Sequence, residues 1–148
     1  MELYDLIIIG GGQSALACGY FLRRANLKYI ILDDQMQGGG AWQHVWDTLT
    51  LFSPAQHSSL PGWMMPKSEH EFPVKKEVLD YLDAYQKRYD LNIQHGIKVQ
   101  DVQKQDNIFT VISDQGQYHS KTVISATGTF QKAFVPNVPG KDQFNGQQ

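Results

Sequence analysis

The sequence predicts an α/β fold, a parallel sheet with helices to which a small antiparallel β-meander is added, and three observations carry that expectation. A run of aliphatic residues, Leu6-Ile7-Ile8-Ile9, enters the glycine cluster Gly10-Gly11-Gly12. A second apolar run, Tyr29-Ile30-Ile31-Leu32, follows after the length of one helix. Beyond residue 98 the apolar residues recur at every second position, as in Phe109 and Val111.

Uninterrupted β-branched runs suit strands buried on both faces, which is the situation inside a parallel sheet. Between the two runs, Ala15, Gly19 and Leu22 fall at i, i+4 and i+7 and mark one face of a helix. Parallel strands need a crossover, and that crossover has a fixed hand, so strand, turn, helix and strand make a right-handed βαβ unit. From Gln35 to Pro73 the pattern loses its period and contains Trp42, Trp46 and Trp63, a loop too long to be a mere connector. Val78, Leu82 and Tyr85, with Leu79 beside them, predict a helix from about Lys75 to Tyr89, and Asn92-Ile93 opens a short third strand. The meander is expected over about residues 98–122, with Val99 and Val102 in one strand, Phe109 and Val111 in the next, and Asp114-Gln115-Gly116 as a hairpin turn. Thr122-Val123-Ile124 then leads into the small residues Ser125-Ala126-Thr127-Gly128, and the rest, with Pro136, Pro139 and Gly140, reads as extended loop.

Composition narrows the function. A length of 148 residues fits one domain, and 41% hydrophobic with 19% charged residues describes a folding chain rather than a disordered one. Thirteen Lys and Arg against fifteen Asp and Glu, with basic runs no longer than the pairs Arg23-Arg24 and Lys75-Lys76, argue against nucleic acid. The aliphatic run Leu6–Ile9 is far short of the roughly 20 residues a bilayer needs, and Met1-Glu2 opens no basic leader, so no membrane partner and a cytoplasmic location are expected. Cys18 is the single cysteine, which excludes an internal disulfide and a Cys-x-x-Cys pair and is expected as a small buried residue. His44, His57, His70, His95 and His119 lack close ligand spacing and are read as loop or surface residues, with no metal.

Gly10-x-Gly12-x-x-Ala15 is a dinucleotide fingerprint in its G-x-G-x-x-A form. The first glycine permits a tight turn, the second lets a pyrophosphate approach the backbone, and the small third residue lets helix pack on strand. The helix start offers N–H groups and partial positive charge near Gln13 and Ser14, where a pyrophosphate fits. Asp33 closes the second strand near the spacing of about 20 residues at which an acid meets ribose hydroxyls, and an acid there opposes a 2′-phosphate. A rival reading takes Gly12-Gln13-Ser14-Ala15 as a hydrolase nucleophile elbow, but that pattern wants glycine where Leu16 stands.

With these residues in view, the chain resembles the flavin-containing monooxygenase-like oxidoreductases of bacteria, a group with two dinucleotide-binding domains. The matching stretches are Asp5 to Ala15, Gly39-Gly40-Ala41-Trp42, Leu51-Phe52-Ser53-Pro54 with Ser58 to Trp63, the helix after Phe72-Pro73, and Ala126 to Thr129 leading to Val138-Pro139-Gly140. The resemblance implies a Rossmann-like FAD-binding domain in which the meander replaces a crossover helix. It implies that Gly10, Gly12, Gln13 and Ser14 hold the FAD pyrophosphate and Asp33 the adenosine ribose. Gly40 and Trp42 would lie beside the dinucleotide and ribityl chain, the backbone of Val99 would meet adenine, and Thr127-Gly128 would lie against the cofactor. His57 falls in the loop implied to face the flavin. In such enzymes NADPH reduces FAD and oxygen is then delivered to a nucleophilic or carbonyl substrate, whose identity the chain does not reveal.

Three departures qualify the resemblance. The loop Leu51-Phe52-Ser53-Pro54 lacks the asparagine that better-known members carry, and Val74 stands where a helix-capping serine is common. The chain also stops at Gln147-Gln148, where relatives continue into a second glycine fingerprint for NADPH. Residues 1–148 are therefore expected to be the N-terminal portion of an FAD-binding domain, incomplete and inactive alone, with the NADPH domain absent. The strand ending at Ser125 should then expose an unpaired edge and promote self-association. The alternative is a noncatalytic nucleotide-binding or interaction module, and a disulfide reductase of the same superfamily is disfavoured by the missing cysteine pair.

Overall fold

The computed structural model describes residues 2–130, 134 and 136–146. The closing Gln147-Gln148 pair lies outside the described residues. The elements are β1 (Leu3–Ile9), α1 (Gln13–Leu22), β2 (Tyr29–Asp33), α2 (Lys75–Arg88), β3 (Ile93–His95), β4 (Val99–Gln105), β5 (Ile108–Ser113) and β6 (Gly116–Ser125). They form one six-stranded sheet in the order β3-β2-β1-β6-β5-β4. β1 is parallel to both β2 and β6, β2 is parallel to β3, and the β4–β5 and β5–β6 pairs are antiparallel.

The strand foreseen at Thr122–Ile124 is the second half of β6 rather than a separate element after the meander. Residues Gly116–Ser120 pair with β5, and His119–Ser125 pair with β1. The largely polar run Gln117 to Lys121 hides this continuity, because one of its residues, Ser120, is fully buried between Phe109 of β5 and Tyr4 of β1. Its hydroxyl donates to the Thr122 carbonyl at 2.8 Å, so burial leaves no unsatisfied group.

The β-branched runs are buried on both faces, as a parallel sheet requires. Leu6, Ile8, Tyr29 and Ile31 pack on Ala15 of α1, whereas Ile7, Ile30 and Leu32 meet Ile97 and Val111 from the meander side. The meander thus covers a face that a crossover helix covers in simpler doubly wound sheets. Cys18 is half-buried rather than buried, at the margin of the α1 face.

α2 uses its predicted stripe to hold the long loop. Val78, Tyr81, Leu82 and Tyr85 join Leu16, Ala55 and Met65 in one cluster. The tyrosines also bond the loop backbone: the Tyr81 hydroxyl accepts from the Leu60 N–H at 2.8 Å and donates to the Trp63 carbonyl at 2.6 Å. The Tyr85 hydroxyl donates to the Pro61 carbonyl at 2.5 Å. Burial raises the pKa of both phenols, so they stay protonated donors at any physiological pH. At the start of α2, Val74 has no side-chain acceptor, but the Glu77 carboxylate accepts its N–H at 2.9 Å and the Ser68 hydroxyl at 2.8 Å. This half of a capping box offsets the missing serine. Among the described residues no helix is long and apolar enough to cross a membrane.

Tyr81→Phe removes one acceptor and one donor from the loop backbone, and Tyr85→Phe removes one donor. Leaving buried polar groups unmet costs about 1–3 kcal/mol each. Thermal or urea unfolding is therefore expected to show a larger loss for Tyr81→Phe than for Tyr85→Phe, and equal losses would mean the loop is not held through these hydroxyls.

Candidate functional site

The carboxyl ends of β1, β2 and β6 meet at the glycine cluster. The Gly10 N–H donates to the Leu32 carbonyl at 2.7 Å, and the Ala126 N–H donates to the Ile9 carbonyl at 2.8 Å. Gly10 has φ +101 and lies against the Ala126 carbonyl, so both conformation and contact demand glycine. A side chain on Gly11 would overlap the Asp33 carboxyl group.

Gly12 is different. Its φ of −77 suits any residue, and a Cβ built on it meets no atom within 4 Å. Packing inside the protein therefore does not require glycine there; open space above the turn does the asking. Gly40 closes the turn from the other side, since a Cβ on it would come 2.7 Å from the Gly12 Cα. The Gly39-Gly40-Ala41-Trp42 element thus lies on the fingerprint itself. The first i→i−4 bond of α1 runs from the Leu16 N–H to the Gly12 carbonyl at 3.0 Å, and Gln13 and Ser14 are exposed in the turn before it. Their N–H groups project from the helix end with its partial positive charge.

Asp33 is only 2% exposed. Its Oδ1 accepts the Gly11 N–H at 3.0 Å, and its Oδ2 lies 3.0 Å from Nδ1 of His95. Burial pushes the Asp33 pKa up, while His95 and the Gly11 amide pull against that shift by favouring the ionised form. His95 is therefore not the loop or surface histidine that its spacing suggested. It ends β3, and the parallel register sets it directly opposite Asp33. His57, which the sequence favoured among the histidines, is exposed and contacts Gln56 at 3.1 Å. Among the described residues no group of three or more His, Cys, Asp or Glu could hold a metal.

The other candidates spread around this centre. Trp42 is half-buried, its ring packed on the α2 cluster, while Trp46 is 63% exposed. Thr127 and Gly128 follow the strand end that touches Gly10, and a Cβ on Gly128, at φ +69, would also meet nothing within 4 Å. Val99 opens β4 two residues after Ile97, whose N–H donates to the Asp33 carbonyl at 2.9 Å. Gly10, Gly12, Asp33 and Gly40 are thus brought into one constellation, with Val99 and Trp42 at its margins. Sequence reasoning passed over Gly11, whose role needs the facing acid, and His95, whose only signal is its place at a strand end parallel to Asp33.

Residues 7–147 match the family described as pyridine nucleotide-disulphide oxidoreductases. The chain belongs to that family. Its fold superposes on a flavin-containing monooxygenase from Stenotrophomonas maltophilia with a TM-score of 0.94 at 47% identity, covering 99% of this chain and 44% of the other. An uncharacterized CzcO-like oxidoreductase of Geobacillus kaustophilus is 37% identical over 91% of this chain and 39% of its own length. A probable indole-3-pyruvate monooxygenase of Arabidopsis thaliana is 31% identical over 95% of this chain and 35% of its own. The chain therefore spans about two fifths of the relatives it matches. Cyclohexanone monooxygenase, at 24% identity and a TM-score of 0.75, shares the fold. The oxidoreductase family takes its name partly from disulphide chemistry, yet Cys18 is the single cysteine here and sits within α1.

The two adjacent glycines separate packing from openness. Gly11→Ala is expected to lower stability by about 1–3 kcal/mol, because its methyl group overfills the space beside Asp33. Gly12→Ala has only its weaker helix cap to lose, at most about 1 kcal/mol. Chemical denaturation of both variants checks the order, and a reversed order would mean the open side of the turn has been assigned to the wrong glycine.

Proposed function

We propose that this chain is the FAD-binding portion of an NAD(P)H-dependent flavoprotein oxidoreductase of the monooxygenase-like branch. The observation that carries the reading is the open cradle at Gly12, framed by a glycine turn whose other members are closed by the protein's own atoms. Family membership and the 47% identity to a flavin-containing monooxygenase support FAD as the occupant.

In this reading Gly10 and Gly12 shape the cradle, and the N–H groups of Gln13 and Ser14 donate to the pyrophosphate at the helix end. Asp33 takes the adenosine ribose on lone pairs left by Gly11 and His95, since an ionised carboxylate has about four acceptor positions. Gly40 admits the dinucleotide from above the turn, with Trp42 flanking the ribityl chain. The Val99 backbone faces adenine, and Thr127-Gly128 leaves room where a side chain would intrude. When bound, FAD supplies the electron transfer between NADPH and oxygen or substrate; these residues bind it, orient it and exclude water. That the chain spans about two fifths of its relatives supports assigning the NADPH site, the substrate contacts and the complete activity to segments outside residues 1–148, and the reading includes a cytoplasmic setting.

Purified protein mixed with FAD should show the visible flavin spectrum after gel filtration, with FAD identified in the released fraction. Gly12→Val should lose the flavin while keeping its far-ultraviolet circular dichroism, and retention would place the phosphate cradle elsewhere. Losing a hydrogen bond to a charged acceptor costs roughly 1.5–3 kcal/mol, so Asp33→Ala should bind FAD about 10- to 150-fold more weakly. The chain with FAD is not expected to oxidise NADPH. Steady turnover in that assay would show a complete enzyme.

The outer edge of β6 from Lys121 to Ser125 has no strand partner among the described residues on the side away from β1. Such an edge is a template for intermolecular pairing, and we infer that it promotes self-association. Light scattering across a concentration series should show growing mass; a constant monomer mass would remove this partner from the reading.

A further inference from the structure

A chain of polar contacts leaves the glycine turn and crosses the sheet to α2. It runs from the Gly11 N–H to Asp33, from Asp33 to His95 at 3.0 Å, from His95 Nε2 to Gln86 Oε1 at 3.2 Å, and from Gln86 Nε2 to Asp83 Oδ1 at 3.1 Å. Its two carboxylates fix the direction of every bond between them, because an ionised carboxylate only accepts. Gln86 must present its amide N–H to Asp83, which turns its carbonyl oxygen to His95. His95 then stands between two acceptors, Asp33 and Gln86. Both contacts are hydrogen bonds only when both ring nitrogens carry hydrogen.

Charge agrees with this arrangement. Lys87 pairs with Asp83 at 2.6 Å, which leaves His95 to answer Asp33. The carboxylates this chain joins to the imidazole are Asp33 from β2, directly, and Asp83 from α2, through Gln86. The geometry is held from behind as well. A side chain on Gly38 would come 2.8 Å from the Gln86 amide nitrogen, so the loop leading to Gly40 rests on the same glutamine.

We propose that His95 is a positioning residue for the dinucleotide site: as an imidazolium donating to Asp33 and to Gln86, it pins the carboxylate that holds the Gly11 N–H. The inference rests on the FAD-binding reading above and deepens it. The role assigned to His95 passes through Asp33, which accepts the Gly11 N–H, to the shape of the turn. Loss of a ring proton sets a lone pair against an acceptor, releases one of the two contacts and loosens the cradle. FAD affinity then falls as pH rises.

The test measures FAD binding by flavin fluorescence at about pH 6 and about pH 9, limits that bracket the usual range of histidine titration. Wild type, His95→Arg and His95→Phe are compared, since arginine keeps a positive charge and several donors at both pH values. Wild type is expected to bind at least about 5-fold more weakly at the higher pH, the low end of usual site-to-site coupling. His95→Arg should change by less than about 2-fold, and His95→Phe should bind weakly at both. Nitrogen-15 spectra of wild type at the lower pH should show two ring N–H groups on His95. A wild type that binds equally at both pH values, or a His95→Phe variant that binds like wild type, overturns the positioning role and leaves FAD binding intact. If wild type binds no FAD at all, the functional reading itself fails and the positioning role goes with it. A single ring N–H on His95 overturns the proposal whatever the binding result.

Discussion

The structure depends on one close approach of backbone to backbone at the carboxyl end of β1. Within three residues the chain must leave the sheet, pass beneath Gly40, clear the end of β6 and enter α1. Three neighbours crowd that passage: the Ala126 carbonyl against Gly10, the Asp33 carboxyl group against Gly11, and Gly40 against Gly12. Each contact leaves no room for a methyl group on at least one partner. What remains open is one direction, outward from Gly12, and the exposed first turn of α1 points the same way. The protein therefore builds its cradle by closing every side of the turn except one. Such a device costs conformational freedom at each glycine, which the buried β1–β2–β6 pairing around it has to offset.

Much of this was readable from the amino acids. The runs Leu6–Ile9 and Tyr29–Leu32 announced buried parallel strands because their apolar character never alternates, and the stripe Val78, Leu82, Tyr85 placed α2. The fingerprint located the turn for the same local reason, since a glycine pattern is a property of a few adjacent residues. Other features are properties of pairs distant in sequence and left little trace. His95 lies opposite Asp33 only because β2 and β3 pair in one register, and a shift of one residue would send it to the other face. The hairpin between β4 and β5 turns on Asp106 and Asn107, both at positive φ, in a stretch whose polarity reads simply as loop. Ser120 is polar and wholly buried in the middle of the longest strand, so the expected boundary near residue 122 between meander and following strand does not exist.

The long segment from Gln35 to Pro73 shows how an irregular chain can be shaped without periodicity. Its order comes from α2, whose tyrosines place two hydroxyls on three loop backbone groups and whose Arg88 guanidinium lies 4.9 Å from the Trp63 ring. On the neighbouring face, the Arg23 guanidinium of the residue that caps α1 lies 4.4 Å from the Tyr20 ring and 4.6 Å from that of Tyr89. These cation–π contacts, worth about 0.5–1 kcal/mol each at exposed sites, tie both helix ends to the same aromatic group. Nearer the fingerprint, Gly38 and Gly39 lie against Gln86 and Leu79 of α2, so the same helix also lies against the segment that carries Gly40 to the glycine turn.

The continuity of β6 has a temporal side. Among the described residues β1 is the first strand and lies inside the sheet, yet its second neighbour is the last strand, with Leu3 paired to His119 and Ile9 to Ser125. A ribosome adding about 5–20 residues per second needs on the order of 5–20 s to deliver β6 after β1 has emerged. Throughout that interval β1 and β2 can pair through their crossover helix, while the far side of β1 presents a bare row of backbone donors and acceptors along a strand that closes on four aliphatic residues. The arrival of one ten-residue strand then closes that row and docks the finished hairpins in a single event. Birth order thus leaves the youngest chain with an open β-edge on the strand that leads into the glycine turn.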